Sequence, residues 1–318
     1  MEGAPENQWR RDAIWALIVI IAAASFLLGA IDRLALGQSG SLATPEETSG
    51  LAATFAIFTS IAGLFALAGY VTAFATGYNM FAEVEKPTVP WTLWDVSKAA
   101  AVAYLGAGLA THAVNLVAKQ FTGSEMRDQA TVAGTTILHA AIVVLPMIFV
   151  RASGGSFRQM GFTLQHWGQN LLHGVLGYLA VLPAFYLAIL VSYTLVSSLG
   201  IPQQQNPILD SLAEPSSLWF RVLVVGITAV AGPFAEEVFF RGFLYPAMRR
   251  RLTVAKAVVL NGILFAAIHV SAVDFLPIMV LGMGMAFLFE KTRSLVGCTT
   301  FHVVNNSLRM LIYFLAVR

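Results

Sequence analysis

Apolar runs close to 20 residues long recur along almost the whole chain, and they constrain the fold more than any other feature. Such a run is long enough to cross the hydrocarbon core of a bilayer as an α-helix. Of the 318 residues, 57% are hydrophobic and only 11% are charged, whereas soluble proteins carry about 25% charged residues. The sequence therefore predicts a polytopic, all-α membrane protein and excludes a soluble enzyme.

Nine transmembrane helices are predicted from these runs. In chain order they are Ala13–Ile31, Leu51–Tyr78, Ala99–Ala118, Thr131–Val150, Leu171–Leu199, Leu218–Met248, Ala255–Val273, Phe275–Phe289 and Leu295–Val317. The first run is longer than the about 7 to 15 residues of a signal-peptide core, which favours an uncleaved span. A cleaved signal peptide is the alternative, and it would leave eight spans.

Positive charges between the predicted helices are distributed unevenly. With the N-terminus inside, 12 Lys and Arg residues fall in the inside segments and 4 in the outside segments. Because cytoplasmic loops are enriched in Lys and Arg, this distribution favours nine spans and a cytoplasmic N-terminus.

A pair of carboxylates lies inside the sixth predicted span. An ionised side chain at the centre of a bilayer costs at least about 2.5 to 3.5 kcal/mol, so each one needs a partner or a function. Glu237 and Arg241 are four residues apart and can pair along one face of a helix. Glu236 is rotated by about 100° from Glu237 and has no such partner on its own helix. We therefore predict that Glu237 and Arg241 are structural and that Glu236 serves as a general base.

Three further polar residues follow in the later spans. His269 is in the seventh, and His302 and Asn306, four residues apart, are in the last; the N–H groups of a histidine and an amide can stabilise an oxyanion. Counted from the nearest predicted inside charge, Glu236, His269 and Asn306 lie about 20 Å deep and His302 about 14 Å. All four are near the middle of a core about 30 Å thick, so we expect them to form one site.

Together, the patterns Glu236-Glu237-x-x-x-Arg241, Phe265-x-x-x-His269 and His302-x-x-x-Asn306 resemble the three motifs of the CPBP intramembrane protease family. This family includes the type II CAAX prenyl endopeptidases and bacterial Abi-like proteins for bacteriocin processing or self-immunity. The resemblance covers roughly residues 218–312. It implies a glutamate-dependent endopeptidase that cuts a membrane-embedded or lipid-anchored substrate, with residues 1–217 as N-terminal transmembrane helices and loops and residues 218–318 as the catalytic core.

The resemblance also implies a role for each motif residue. These roles are water activation for Glu236 and His269, oxyanion binding for His302 and Asn306, and bracing of the helix for Glu237 and Arg241. The family is often called a metalloprotease family, but the HExxH zinc motif is absent from this chain. Glu236, His269 and His302 are still a set of side chains able to bind Zn²⁺, so a metal-free site and a zinc site are both open.

Other polar residues in or next to the spans lie outside the three motifs. His112, His139 and His173 have no motif partner and are predicted to be structural or to line a cavity. The run Arg249 to Arg251 is predicted to fix orientation and to contact anionic lipid, and no role is assigned to Arg221 or Arg309.

The remaining predictions concern partners and location. The net charge of +2 leaves no basic excess for nucleic acid, and the pattern predicts a multi-pass protein of a bacterial inner membrane. The alternatives to a protease are a catalytically idle scaffold or accessory subunit and, third, a proton-coupled transporter.

Overall fold

The structure of the protein is a computed structural model that describes residues 68–69, 85–118, 124–200 and 218–316. The predicted first span lies outside these residues, and so does the second except for residues 68–69. The uncleaved N-terminus and its orientation therefore stay predictions.

The described residues contain seven long helices and no β-strand, which confirms the all-α prediction for this part of the chain. The helices are α1 (Leu93–Ala118), α2 (Ser124–Ala152), α3 (Trp167–Ser198), α4 (Leu218–Arg249), α5 (Val254–Ala267), α6 (Phe275–Thr292) and α7 (Leu295–Ala316). Five of them, α1, α2, α3, α4 and α6, are long and apolar enough to cross a membrane. The bundle is therefore that of an integral membrane protein, whereas the count of nine spans stays a prediction.

Helix α5 is shorter than predicted, because it ends at Ala267 and does not continue to Val273. Nδ1 of the His269 ring forms a hydrogen bond to the backbone carbonyl oxygen of Phe265, at 2.8 Å. The backbone N–H of His269 bonds instead to Ala266, three residues back, at 3.1 Å. A side chain that hydrogen-bonds to a helical carbonyl competes with the backbone N–H group that would otherwise bond to it. The helix therefore ends, and His269 lies in the loop before α6.

Helix α4 is a continuous helix with two π-helical segments. Its first α-helical part ends at Gly226, and Ile227–Ala231 and Val238–Leu244 then form π-turns on either side of the α-helical segment Gly232–Glu237. Such π-turns are rare and occur often at functional sites. Here they flank the two adjacent glutamates.

Side chains from elsewhere in the chain bond to carbonyls of the second π-segment. Asn261 on α5 donates to the Phe240 carbonyl at 3.1 Å, and the indole of Trp91 donates to the Phe243 carbonyl at 2.9 Å. Within a bilayer, backbone groups must find partners inside the protein. These contacts stabilise the irregular geometry that follows Glu237.

The helices pack around one hydrophobic core. Helix α3 packs against α6 and α7, α5 packs against α6, and α4 lies between α2 and α7. The core includes Trp91, Tyr178, Phe243 and Phe301, so it takes residues from both sides of position 217. The division into N-terminal helices (residues 1–217) and a catalytic core (residues 218–318) therefore stays a prediction about where the function lies.

The predicted lipid contact of Arg249 is wrong. Its side chain is fully buried, and its Nη2 lies 3.1 Å from Oε1 of Glu290 on α6. Arg293 binds the same Glu290 oxygen at 3.0 Å, and Arg250 donates to the Trp91 carbonyl at 2.7 Å. Arg249 therefore connects α4 to α6, and Arg250 connects it to the segment before α1. The sequence around Arg249 does not reveal its partner, because the carboxylate comes from α6.

Helices α3 and α7 approach closely at Gly174, and we expect Gly174→Ala to destabilise the protein. A Cβ at this position would lie 2.5 Å from the Gly297 carbonyl oxygen and 2.7 Å from Cβ of Thr300, and overpacking of this kind costs about 1 to 3 kcal/mol. Gly177→Ala, one turn along, is the control, because its Cβ would meet only ordinary contacts at 3.5 Å. Thermal unfolding in detergent measures both variants, and equal melting temperatures would contradict the expectation.

Candidate active site

The side chains of Glu237, Arg241 and His302 form a buried network of hydrogen bonds next to Glu236. The Arg241 guanidinium donates to Oε1 of Glu237 at 2.8 Å through Nη1 and to the Gly282 carbonyl at 2.9 Å through Nη2. His302 on α7 places Nδ1 2.9 Å from the same Glu237 oxygen. Glu237 and Arg241 are fully buried. The predicted pairing of these two residues is therefore present, and it also holds one ring nitrogen of His302.

Glu236 lies at the centre of three histidines. Its Oε2 is 3.9 Å from Nε2 of His269 and 3.9 Å from Nε2 of His302, and its Oε1 is 3.9 Å from Nε2 of His139 on α2. The side chain is 18% exposed, and Oε2 is buried without a hydrogen bond. A separation of 3.9 Å is too long for a direct hydrogen bond, so a connection between these groups requires a molecule such as water between or beside them.

The hydrogen bonds at Nδ1 determine what the two motif histidines offer at Nε2. A backbone carbonyl only accepts, so His269 carries a proton on Nδ1, and the neutral ring has a lone pair on Nε2. A carboxylate also only accepts, so Nδ1 of His302 donates to Glu237. The two rings pack on Phe265, whose ring centroid is 4.9 Å from that of His269 and 5.6 Å from that of His302.

Asn306 is on the same helix as His302 but makes different contacts. Its Nδ2 donates to the Thr228 carbonyl in the first π-segment at 3.0 Å, and its Oδ1 accepts from Asn305 at 2.9 Å. Asn305 therefore orients the amide of Asn306. One N–H of that amide is left for another partner.

The prediction that His139 has no partner among the motif residues is wrong, since its ring faces Glu236. Its depth along its helix does not distinguish His139 from His112. His139 lies about 18 Å from Arg151 along α2, but His112 lies about 21 Å from Lys98 along α1 and is exposed on the bundle surface, as is His173. Only the packing of α2 against α4 separates the partly buried His139 from the two exposed histidines.

The zinc alternative finds no support in the ligand geometry. Two ligands of a tetrahedral zinc ion, each about 2.0 to 2.1 Å from the metal, are about 3.3 Å apart, closer than the 3.9 Å from Glu236 to either motif histidine. Among the residues that the structure describes, no group of three or more His, Cys, Asp or Glu side chains is arranged to hold a metal ion.

These features define an integral membrane protein with a glutamate–histidine site between its helices. Residues 217–308 match the family model of the type II CAAX prenyl endopeptidases of the Rce1-like kind. The match contains all three motifs and confirms the resemblance to the CPBP intramembrane proteases for this part of the chain. No curated protein and no solved structure matches the chain.

Proposed function

We propose that the protein is an intramembrane endopeptidase that hydrolyses a peptide bond in a membrane-embedded or lipid-anchored substrate. The observation that carries this proposal is the position of the Glu236 carboxylate, 3.9 Å from Nε2 of both His269 and His302. The match to the Rce1-like family supports a hydrolase of this class. The bilayer that holds the protein is proposed to be a bacterial inner membrane.

The two histidines take different roles because their Nδ1 partners differ. His269 presents a lone pair at Nε2 and accepts a hydrogen bond from the attacking water. His302 lies between Glu237 and Glu236, and with both ring nitrogens protonated it donates at Nε2 as well. The charges of Glu236, Glu237, Arg241 and a protonated His302 then sum to zero, which a site of low dielectric favours.

The reaction follows from this arrangement. Glu236 takes a proton from water while the water oxygen forms a bond to the substrate carbonyl carbon. The carbonyl oxygen becomes negatively charged, and His302 and Asn306 donate hydrogen bonds to it. Glu236 then returns the proton to the amide nitrogen as the C–N bond breaks, so the products are a carboxylic acid and an amine, and the acid releases its remaining proton to solvent.

Removal of the Asn306 amide is expected to slow the proposed reaction without unfolding the protein. A lost oxyanion donor costs about 10² to 10³ in kcat, so Asn306→Ala and Asn306→Leu should both lose activity to this extent. Leucine has nearly the same volume as asparagine but neither an N–H group nor a charge, which makes it the matched control for volume. Steady-state kinetics on a cleaved peptide measures the effect, and an active Asn306→Leu variant would remove Asn306 from the oxyanion site.

The function itself is tested with purified protein in proteoliposomes. The substrates are peptides that end in a CAAX sequence, with and without a prenyl group on the cysteine, and mass spectrometry identifies the products. Cleavage by the wild type but not by Glu236→Gln would support the proposal, and the two peptide forms report whether a lipid group is required. A Glu236→Gln variant as active as the wild type would contradict the role of Glu236, and a wild type that cleaves neither peptide would contradict the proposal and favour the scaffold.

A further inference from the structure

A stripe of polar side chains runs along α7 from the candidate active site to the surface of the bundle. His302, Asn306 and Arg309 are spaced by four and then three residues, so they lie on one face of the helix. Exposure rises along this stripe. The His302 side chain is 7% exposed, Asn306 is partly buried, and the Arg309 side chain is 52% exposed. The stripe therefore leads from the proposed oxyanion site to an open end that carries a positive charge.

Arg309 lies across from the loop that carries His269. Its Nη2 is 3.7 Å from Oδ1 of Asp274, the residue that precedes α6 in this loop. The same loop and the same helix supply the histidines that approach Glu236, since His269 comes from the loop and His302 from α7. The pair of Arg309 and Asp274 thus spans the gap between these two elements, farther along α7 than the histidines.

The contact with Asp274 leaves Arg309 able to bind a second carboxylate. A separation of 3.7 Å is longer than the about 2.7 to 3.2 Å of an N–H···O hydrogen bond. Asp274 has a closer partner, because its Oδ2 accepts from the Ser271 hydroxyl at 2.8 Å. A guanidinium has five N–H donors, so a ligand can bind to Arg309 while Asp274 stays where it is.

The distance along α7 fits a short stretch of extended peptide. His302 and Arg309 differ by seven positions, which corresponds to about 10.5 Å of helix rise. Three residues of extended chain span about 10 to 11 Å. A substrate with its scissile carbonyl oxygen at His302 and Asn306 would therefore reach Arg309 with the group that lies three residues farther along.

We propose that Arg309 binds the C-terminal carboxylate of the substrate and thereby selects the third peptide bond from that end for hydrolysis. This inference rests on the function proposed above, because it takes the oxyanion site as the position of the scissile carbonyl. A guanidinium can bind a carboxylate through two parallel N–H···O bonds. An internal stretch of polypeptide has a neutral amide at the same place, so Arg309 distinguishes a chain end from the middle of a chain.

Two peptides that differ only at the C-terminus test this inference in proteoliposomes. One ends in a free carboxylate and the other in a carboxamide, and neither contains an acidic side chain. Charge-assisted hydrogen bonds to Arg309 should make kcat/KM of the wild type about tenfold to 100-fold higher for the carboxylate peptide. Arg309→Gln should lower this kcat/KM to the carboxamide value and leave cleavage of the carboxamide unchanged. A misfolded variant would lose both activities.

Two further variants separate the fork of N–H groups from the charge. Arg158→Gln is the matched control, because Arg158 is an exposed arginine that contacts Gln165 outside the stripe, and it should keep the wild-type preference. Arg309→Lys keeps the charge without the bidentate fork and should keep part of the preference. Mass spectrometry of the wild-type products should show release of a tripeptide from the C-terminus.

A second measurement does not depend on cleavage. The two peptides carry a fluorescent label at the N-terminus and bind to the Glu236→Gln variant in detergent, where anisotropy reports the dissociation constant. We expect the carboxylate peptide to bind about tenfold to 100-fold more tightly than the carboxamide. The two dissociation constants should become equal when Arg309→Gln is added.

The outcomes separate this inference from the proposed function. A preference for the carboxylate in binding, lost in Arg309→Gln, together with a wild type that cleaves neither peptide, would keep Arg309 as the carboxylate site and reject the protease function alone. Cleavage of both peptides at equal rates would keep the protease and overturn the inference. Binding of neither peptide, cleavage at another bond, or an Arg309→Gln variant that keeps the preference would also overturn it.

Discussion

Replacement of Glu236 by glutamine is expected to abolish peptide cleavage while the protein still inserts and folds. The substitution keeps the size of the side chain but removes the proton acceptor, and loss of a general base costs about 10² to 10⁴ in rate. Oε2 of the Glu236 side chain has no hydrogen bond in the described structure, and the side chain is 18% exposed, so the free energy of unfolding should change by less than about 1 kcal/mol.

The measurement pairs peptide cleavage in proteoliposomes with thermal unfolding in detergent. Glu85→Gln is a suitable control, because Glu85 is an exposed carboxylate outside the site and its loss should leave both quantities unchanged. A Glu236→Gln variant within tenfold of the wild-type rate would show that another group activates the water. A variant that no longer folds would show instead that Glu236 is structural.

Replacement of Arg241 by alanine is expected to have the largest effect on stability. The guanidinium pairs with Glu237, donates to the Gly282 carbonyl and lies 4.5 Å from the centre of the Phe265 ring. Its removal leaves the Glu237 carboxylate buried without its cation, which costs about 3 to 5 kcal/mol. In a protein of this size that corresponds to a fall of about 10 °C in melting temperature.

A double variant and a surface control sharpen this test. Glu237→Gln combined with Arg241→Ala should be more stable than Arg241→Ala alone, because no uncompensated charge is then buried. Arg309→Ala is the control, since Arg309 is 52% exposed and 3.7 Å from Asp274, and loss of such an exposed pair changes stability by less than about 1 kcal/mol. Equal melting temperatures for Arg241→Ala and Arg309→Ala would contradict a structural role for the buried pair.

The sequence predicted the C-terminal helices and most of the site because both follow from short-range patterns. The membrane requires long apolar runs, so α3, α4 and α7 begin within a few residues of their predicted starts. A charge within such a run needs a partner, and the spacing of four identified Arg241 as the partner of Glu237. The proximity of Glu236 to His269 and His302 followed from depth and family resemblance.

Other features depend on contacts between segments far apart in the chain. Helix α5 ends at Ala267, where Nδ1 of His269 replaces a backbone N–H as the donor to the Phe265 carbonyl. Arg249 is buried because α6 places Glu290 next to it. His139 and His112 have similar depths and similar apolar neighbours in the sequence, and only helix packing turns one toward Glu236 and the other outward.

The sequence by itself determined that this chain is a helical membrane protein with two adjacent glutamates, an arginine and two histidines in or next to its apolar spans, because the cost of burying charge acts on each residue separately. The tertiary structure decided which nitrogen of each histidine faces Glu236 and added a third histidine to the site. Those features depend on the rotation of one helix against another, and a rotation of this kind is fixed by the packing of side chains such as Phe265 and by the absence of one at Gly232.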